Sequence, residues 1–309
     1  MKQLLLLLAV VMGLTVGAQV PSASNGTIVR IDSFAAQGLG KRNIDVWLPP
    51  GYPSAGRYDV LYMHDGQMLF DSTGTWNRQE WRVDETLGPM IAAKKIRPMI
   101  VVAVPNAGAL RMAEYFPQAA AELLSKTARD SLQIEVGGTF LADAYLYFLV
   151  NELKPYIDSA FSVHRSKEHT FLAGSSMGAL ISLYGLCAYP HVFGGAACLS
   201  THWPGSLQRI ADPGNPIPAA FEHYLQKNLP RKGSCILYMD RGDKTLDSFY
   251  APFQPRIDKL VRAKGYTKRT FSSRIYPGAD HSERAWAKRF AQPMLFLFGR
   301  KYPQPRIPH

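Results

Sequence analysis

Residues 171–180 read FLAGSSMGAL, two adjacent serines set between glycines. Residues 169–173 have the short apolar pattern of a buried strand and 177–188 the longer pattern of a helix, so the serines occupy a strand-to-helix junction. In a parallel sheet such junctions are where chemistry collects, because the loops are exposed and helix N-termini offer unpaired N–H groups. The two serines separate on steric grounds. A nucleophile on so sharp a turn needs small residues two before and two after it, where strand and helix pass closely. Ser176 has Gly174 and Gly178 at those places; Ser175 would have Ala173 and the bulky Met177. Ser176 is therefore the candidate nucleophile.

Working outward, strand-like and helix-like segments alternate. Strands are expected at 27–32, 43–48, 60–63, 99–104, 170–173, 194–199, 235–239 and 270–276. Helices are expected at 84–93, 140–160, 177–188, 219–228, 255–263 and 283–299. This order predicts an α/β fold: a mostly parallel central sheet, opened by antiparallel strands, with helices on both faces. No repeat, low-complexity tract or Pro/Ser linker divides the chain, so 19–300 is read as one domain and 301–309, with three prolines, as an irregular tail.

Met1-Lys2, the apolar run from Leu4 to Leu14 and the small residues Val16-Gly17-Ala18 predict a secretory signal over residues 1–18, cleaved after Ala18. The run is too short for a stable membrane span and no later segment reaches about 18 apolar residues. The expected location is periplasmic or secreted. Cys187, Cys198 and Cys235 each lie in apolar sequence and read as core thiols, not a disulfide framework. Neither HExxH nor a paired Cys/His spacing suggests a metal, and no cofactor is expected. Of 309 residues, 19% are charged, with a formal net charge of +11. The Lys and Arg residues are scattered and not interleaved with stacking aromatics, which argues against a nucleic-acid partner.

A serine hydroxyl needs a base, and the base needs an orienting carboxylate. Of the histidines after Ser176, His281 in YPGADHSERAW follows the last strand and precedes the last helix, where the base belongs. His191, His223 and His309 read as structural or solvated. For the acid, DRGDKTLDSFY offers Asp240, Asp243 and Asp247 just past a strand, and position alone does not rank them. Asp280 is expected to cap the final helix. The oxyanion donors are expected to be the backbone N–H of Met177 and that of Gln67, the latter in MHDGQMLFD after the strand at 60–63.

With these residues assembled, the chain resembles the putative esterase family of α/β-hydrolases, which includes enterochelin, feruloyl and acetyl-xylan esterases, S-formylglutathione hydrolases and mycolyltransferases. The resemblance runs from about Asn25 to Gly299, on MHDGQMLFD, WRVDETL, VPNAG with RMAEYFP, GGTFLADAYLYFLVNELKPYID, AGSSMGAL, DRGDKTLDSFY and GADHSERAW. It implies Ser176 as nucleophile, His281 as base and Asp247, in TLD, as acid, with Asp243 the runner-up. Where relatives often carry a second glycine after the elbow glycine, Ala179 stands here. The implied activity is that of a serine esterase; the expected export favours an acetyl or hydroxycinnamoyl ester on carbohydrate, as a polysaccharide or its fragment, with a siderophore trilactone as the next substrate. A transferase using the same acyl-enzyme, and a silent binding module on the same scaffold, are the alternatives. Arg111, Glu114 and Tyr115, after VPNAG, and His202 and Trp203, in STHWP, are the expected substrate-binding residues. Trp76 and Trp81 are expected in exposed loops, available to stack on a sugar.

Overall fold

The computed structural model describes residues 19–231 and 234–299; the expected signal and C-terminal tail lie outside the described residues. The strands are β1 (Thr27–Ala36), β2 (Gly40–Leu48), β3 (Asp59–His64), β4 (Met99–Val104), β5 (Thr170–Ser175), β6 (Gly195–Leu199), β7 (Ile236–Arg241) and β8 (Phe271–Ile275). All eight join one sheet in the order β1-β2-β4-β3-β5-β6-β7-β8. β1 pairs antiparallel with β2, and β2 antiparallel with β4. From β4 to β8 every pairing is parallel.

The helices, in chain order, are α1 (Val83–Ala92), α2 (Arg111–Tyr115), α3 (Gln118–Ala121), α4 (Lys126–Glu135), α5 (Ala142–Tyr147), α6 (Lys154–Ala160), α7 (Met177–Ala188), α8 (Ile217–Asn228), α9 (Gln254–Ala263), α10 (Glu283–Arg289) and α11 (Ala291–Phe298). They cover both faces of the sheet, which is why β3 to β7 are buried along their whole length and read as nearly unbroken apolar runs. The strand period of two still divides their side chains. Val60, Tyr62, Ile100 and Val102 join a core under α2 and α5 to α9, while Leu61, Met63, Val101 and Ala103 join a second core under α1, α10 and α11. α7 is buried at every position but its last, as a helix wedged between the sheet and other helices must be.

The structure differs from the expected elements in three places. The helix expected over 140–160 begins at Ala142 and carries a π-helical stretch, Phe148–Leu153, between α5 and α6. The single helix expected over 283–299 breaks at Phe290: Pro293 has no N–H to give to the carbonyl four residues back, at Arg289, and its ring crowds it. The short α2, α3 and α4 were not expected, because short segments with mixed polarity carry little periodic signal.

Candidate active site

The C-terminal ends of β3, β5, β6 and β7 converge on one edge of the sheet, where Ser176 stands between β5 and α7. Its backbone takes φ 57, ψ −120, a strained conformation for a residue with a side chain. The glycines account for the turn. A Cβ on Gly174 would lie 2.6 Å from the Gly178 carbonyl oxygen, and one on Gly178 would press on Asp65 Oδ2 at 3.2 Å and His64 Cβ at 3.3 Å. Ser175 is the buried last residue of β5, whereas Ser176 is half-buried at the surface of the site. The Ser176 N–H donates to the Leu199 carbonyl at 3.0 Å, and the His202 N–H donates to the Ser176 carbonyl at 3.3 Å, so residues 199–202 hold the turn from below.

Asp247 and His281 meet at this edge, with Asp247 Oδ1 2.6 Å from His281 Nδ1. Asp247 has no solvent exposure, and its other oxygen accepts from Ser200 Oγ at 2.6 Å and from the Gly242 N–H. Two loops are stitched together to achieve this. The N–H groups of Asp243 and Lys244 donate to the Ala279 carbonyl, Gly278 N–H donates to Asp243 Oδ1 at 2.8 Å, and His281 N–H donates to Thr245 Oγ1 at 2.9 Å. Gly242 permits the approach: a Cβ there would sit 2.1 Å from the Ala279 oxygen. Asp243 thus ties the two loops and does not reach His281. Asp240 is buried against Arg289 (3.1 Å), and burial pushes its carboxyl up to about 6 despite that cation. Asp280 accepts from the Ser282 hydroxyl, while Ser282 itself caps α10 by accepting from the Ala285 N–H at 3.3 Å; the expected capping role of Asp280 is corrected to Ser282.

Met177 follows Ser176 directly, and Gln67 lies in the turn that follows β3, the strand paired with β5. Met177 is the first residue of α7, where N–H groups lack an intrahelical acceptor. Gln67 lies in the 3-10 turn Gly66–Met68, its side-chain Oε1 accepting from the Asn106 N–H at 3.2 Å. The turn passes so close to β4 that a Cβ on Gly66 would be 2.6 Å from the Ala103 carbonyl carbon. Asp65, at φ 55, anchors it: its carboxylate takes two hydrogen bonds from Arg111 (2.6 and 2.7 Å) and one from Asn106 Nδ2 (2.7 Å). Burial pushes the Asp65 carboxyl up, but Arg111 and Asn106 outweigh it and hold it below the ordinary carboxylate range.

The expected substrate-binding residues divide. Arg111 is 28% exposed at its side chain and stays beside the site. Glu114 is instead buried in a two-bond pair with Arg42 of β2 (2.6 and 3.2 Å), so Arg111 and Glu114 each have their own partner. Tyr115, also buried, accepts the Asp65 N–H at its hydroxyl. His202 and Trp203 are 1% exposed, with His202 Nδ1 2.8 Å from the Tyr250 hydroxyl and Trp203 Nε1 donating to Gln254. These four meet protein, not solvent. Trp76 is 84% exposed as expected, but Trp81 is not: it is buried, stacked on Trp286 with ring centroids 5.4 Å apart.

Several residues at the site drew no notice in the sequence. Ser200, at φ 46, is a hub that gives its proton to Asp247 and accepts from Trp286 Nε1 (3.0 Å) and Arg289 (2.8 Å). Its position as the first residue of STHWP, directly after a strand, was the available signal. Tyr250 packs edge-on against His281 at 5.8 Å, three residues past Asp247 on the same 3-10 turn. His64, at the end of β3, is buried with Nδ1 2.8 Å from the Tyr145 hydroxyl, and burial lowers it to about 4.

Asp59, His164 and His169 bring metal-capable atoms within 4.8 Å of one another at the opposite edge of the sheet, where β3 and β5 begin. Asp59 is already committed to Arg97 (2.6 Å) and His169, and the two imidazoles stack face to face at 4.1 Å instead of converging on one point. The set reads as an ion-pair network.

Fold and site together define an α/β-hydrolase-type esterase scaffold. The chain belongs to the Putative esterase family, whose description matches residues 39–297. It is similar to the uncharacterized protein YbbA of Bacillus subtilis, 22% identical over 276 residues that cover 87% of this chain and 97% of that one. Among solved structures it is similar to the enterobactin esterase of Shigella flexneri (14% identity, TM-score 0.65), covering 90% of this chain and 60% of that longer chain. It is also similar to the ferulic acid esterase AmCE1/Fae1A of Anaeromyces mucronatus (18% identity, TM-score 0.61), covering 90% and 92%. No helix among the described residues is long and apolar enough to cross a membrane.

Proposed function

We propose that this protein is a serine esterase acting through an acyl-enzyme on Ser176. The observation that carries this reading is the 2.6 Å contact of His281 with the fully buried Asp247, at the same end of the sheet as a serine held in a strained turn. In this reading Ser176 Oγ attacks the ester carbonyl and His281 Nε2 takes its proton, while Asp247 accepts from Nδ1–H and stabilises the imidazolium. The Met177 and Gln67 N–H groups hold the oxyanion. His281 then returns the proton to the leaving alcohol, and water releases the acyl group by the same steps in reverse.

The proposed substrate is an acetyl or hydroxycinnamoyl ester on carbohydrate, met outside the cytoplasm after removal of residues 1–18. Similarity to a ferulic acid esterase and to an enterobactin esterase is a likeness of fold, and each supplies an ester to test. The test is hydrolysis of an aryl acetate, acetylated xylan, methyl ferulate and a trilactone siderophore by the protein beside Ser176→Ala. Turnover of a sugar-linked ester, absent in the variant, is expected; turnover of the trilactone alone would replace the substrate class. Equal turnover by Ser176→Ala would end the mechanism. Adding an acceptor alcohol and assaying for a new ester tests acyl transfer. Sequencing the N-terminus of exported protein tests the signal, with Gln19 expected first.

A further inference from the structure

Ser200 is fully buried against Asp247, and its backbone sits at φ 46, where a glycine would fit more readily. What serine adds there is a hydroxyl, with one proton and two acceptor positions. Two donors reach that oxygen from α10: Trp286 Nε1 at 3.0 Å and Arg289 Nη2 at 2.8 Å. Both are held by other partners, since Trp286 stacks on Trp81 and the buried Arg289 gives its Nε–H to Asp240 at 3.1 Å. Neither group can accept a hydrogen bond, so the two fill both acceptor positions of Ser200. Its proton is left with Asp247 Oδ2, at 2.6 Å.

We propose that Ser200 is a positioning residue for the acid: with Trp286 and Arg289 on its oxygen, its proton is confined to Asp247 Oδ2, which leaves Oδ1 to His281. The proposal rests on the reading of Asp247 as the acid and Ser176 as the nucleophile. Oδ2 also accepts from the Gly242 N–H, and Arg289 Nη2 lies 3.9 Å from it. A carboxylate with one oxygen fixed by two donors cannot turn without breaking both bonds, and Asp247 has no exposure to water that would replace them. Oδ1 therefore stays 2.6 Å from His281 Nδ1 as an acceptor. The imidazole proton is held on Nδ1, and Nε2 is left free to take the proton of the nucleophile.

No proton moves between Ser200 and Asp247 in the reaction. Ser200 acts through Asp247, while Trp286 and Arg289 act through Ser200. The first turns of α10, which follow His281 directly, thus hold from behind the acid that His281 meets from the front.

The test is steady-state hydrolysis of an aryl acetate by Ser200→Ala, Ser200→Gly, Asp247→Asn and the double variant Asp247→Asn/Ser200→Ala. Losing one hydrogen bond to the carboxylate should lower kcat about tenfold in Ser200→Ala, with KM little changed because Ser200 is buried away from any substrate. Ser200→Gly, whose backbone suits φ 46, should lose as much, since the hydroxyl is what counts. If Ser200→Ala does not fold, Ser200→Gly decides alone. In the Asp247→Asn background Ser200→Ala should cost no further kcat, since Ser200 has no other route to the chemistry. Wild-type kcat in either single Ser200 variant would overturn the proposal. So would a loss that multiplies in the double variant, which would mean that Ser200 supports the fold and not the acid. Asp247→Asn and Ser176→Ala run alongside separate the failures. Wild-type activity in either removes the underlying reading, while losses in both beside an unaffected Ser200→Ala remove only the role of Ser200.

Discussion

At the scale of single residues, the site turns on which side chains can reach one another. Ser176→Ala and His281→Ala should each lower kcat by about a thousandfold or more while leaving the fold intact, as measured by hydrolysis and circular dichroism. Asp247 and Asp243 are four residues apart, but only Asp247 meets His281; Asp243 accepts a backbone N–H from Gly278. Asp247→Asn should therefore cost far more kcat than Asp243→Asn, and the reverse order would reassign the acid. The turn at Ser176 was legible because it constrains neighbours two positions away, a local condition. Position did not rank Asp240, Asp243 and Asp247; only the family resemblance pointed to Asp247, because which of them meets His281 depends on the distant loop that carries that histidine.

Elements position these residues through close backbone contacts and buried ion pairs. A methyl on Gly242 would collide with the Ala279 oxygen and part the loop after β7 from the loop before α10. Gly242→Ala should thus separate Asp247 from His281. We expect a large fall in kcat with a stability loss of about 1–3 kcal/mol, read from urea melts beside turnover. On the other side of the site, α2 is pinned to β2 by Arg42 and Glu114, whose side chains are 8% and 1% exposed. Glu114→Leu would leave the guanidinium buried without its counter-charge. A loss of about 3–5 kcal/mol is expected, and a variant as stable as wild type would show that the pair is not buried as described. The strands and longer helices could be read from their apolar runs. The α2 to α4 segment could not, since its helices are defined by what Tyr115, Glu114 and Ala120 pack against.

For the whole molecule, burial of titratable groups sets the pH response. His202 and His64 have their ordinary value of 6.5 lowered to about 3 and about 4. Between those values and 6.5 the unfolded chain binds protons that the folded chain does not, so these groups lose stability as pH falls. Asp84 and Asp240, raised from 3.8 to about 6 chiefly by burial, act oppositely, adding stability as pH falls through that window. The net wild-type curve is a compromise, so the informative measurement is a difference. Relative to His202→Asn, wild type should lose about 1.4 kcal/mol of unfolding free energy per pH unit between about pH 6 and pH 4. A difference that stays constant with pH would mean that His202 is not held neutral.

The sequence by itself determined the alternation of strands and helices, the strand-to-helix turn at Ser176 and the place of His281 between the last strand and the helix that follows it. Each of these depends on residues within one or two turns of chain: apolar period, glycine spacing, a strand end followed by a helix start. Tertiary structure alone decided that Asp247 meets His281, that Glu114 belongs to Arg42 and Arg111 to Asp65, and that Trp81 lies inside against Trp286. It also decided that Ser200, Tyr250 and His202 surround the site. These are contacts between segments tens of residues apart, brought together when parallel strands align their C-terminal ends, and no local pattern encodes which of several chemically equal side chains will arrive there.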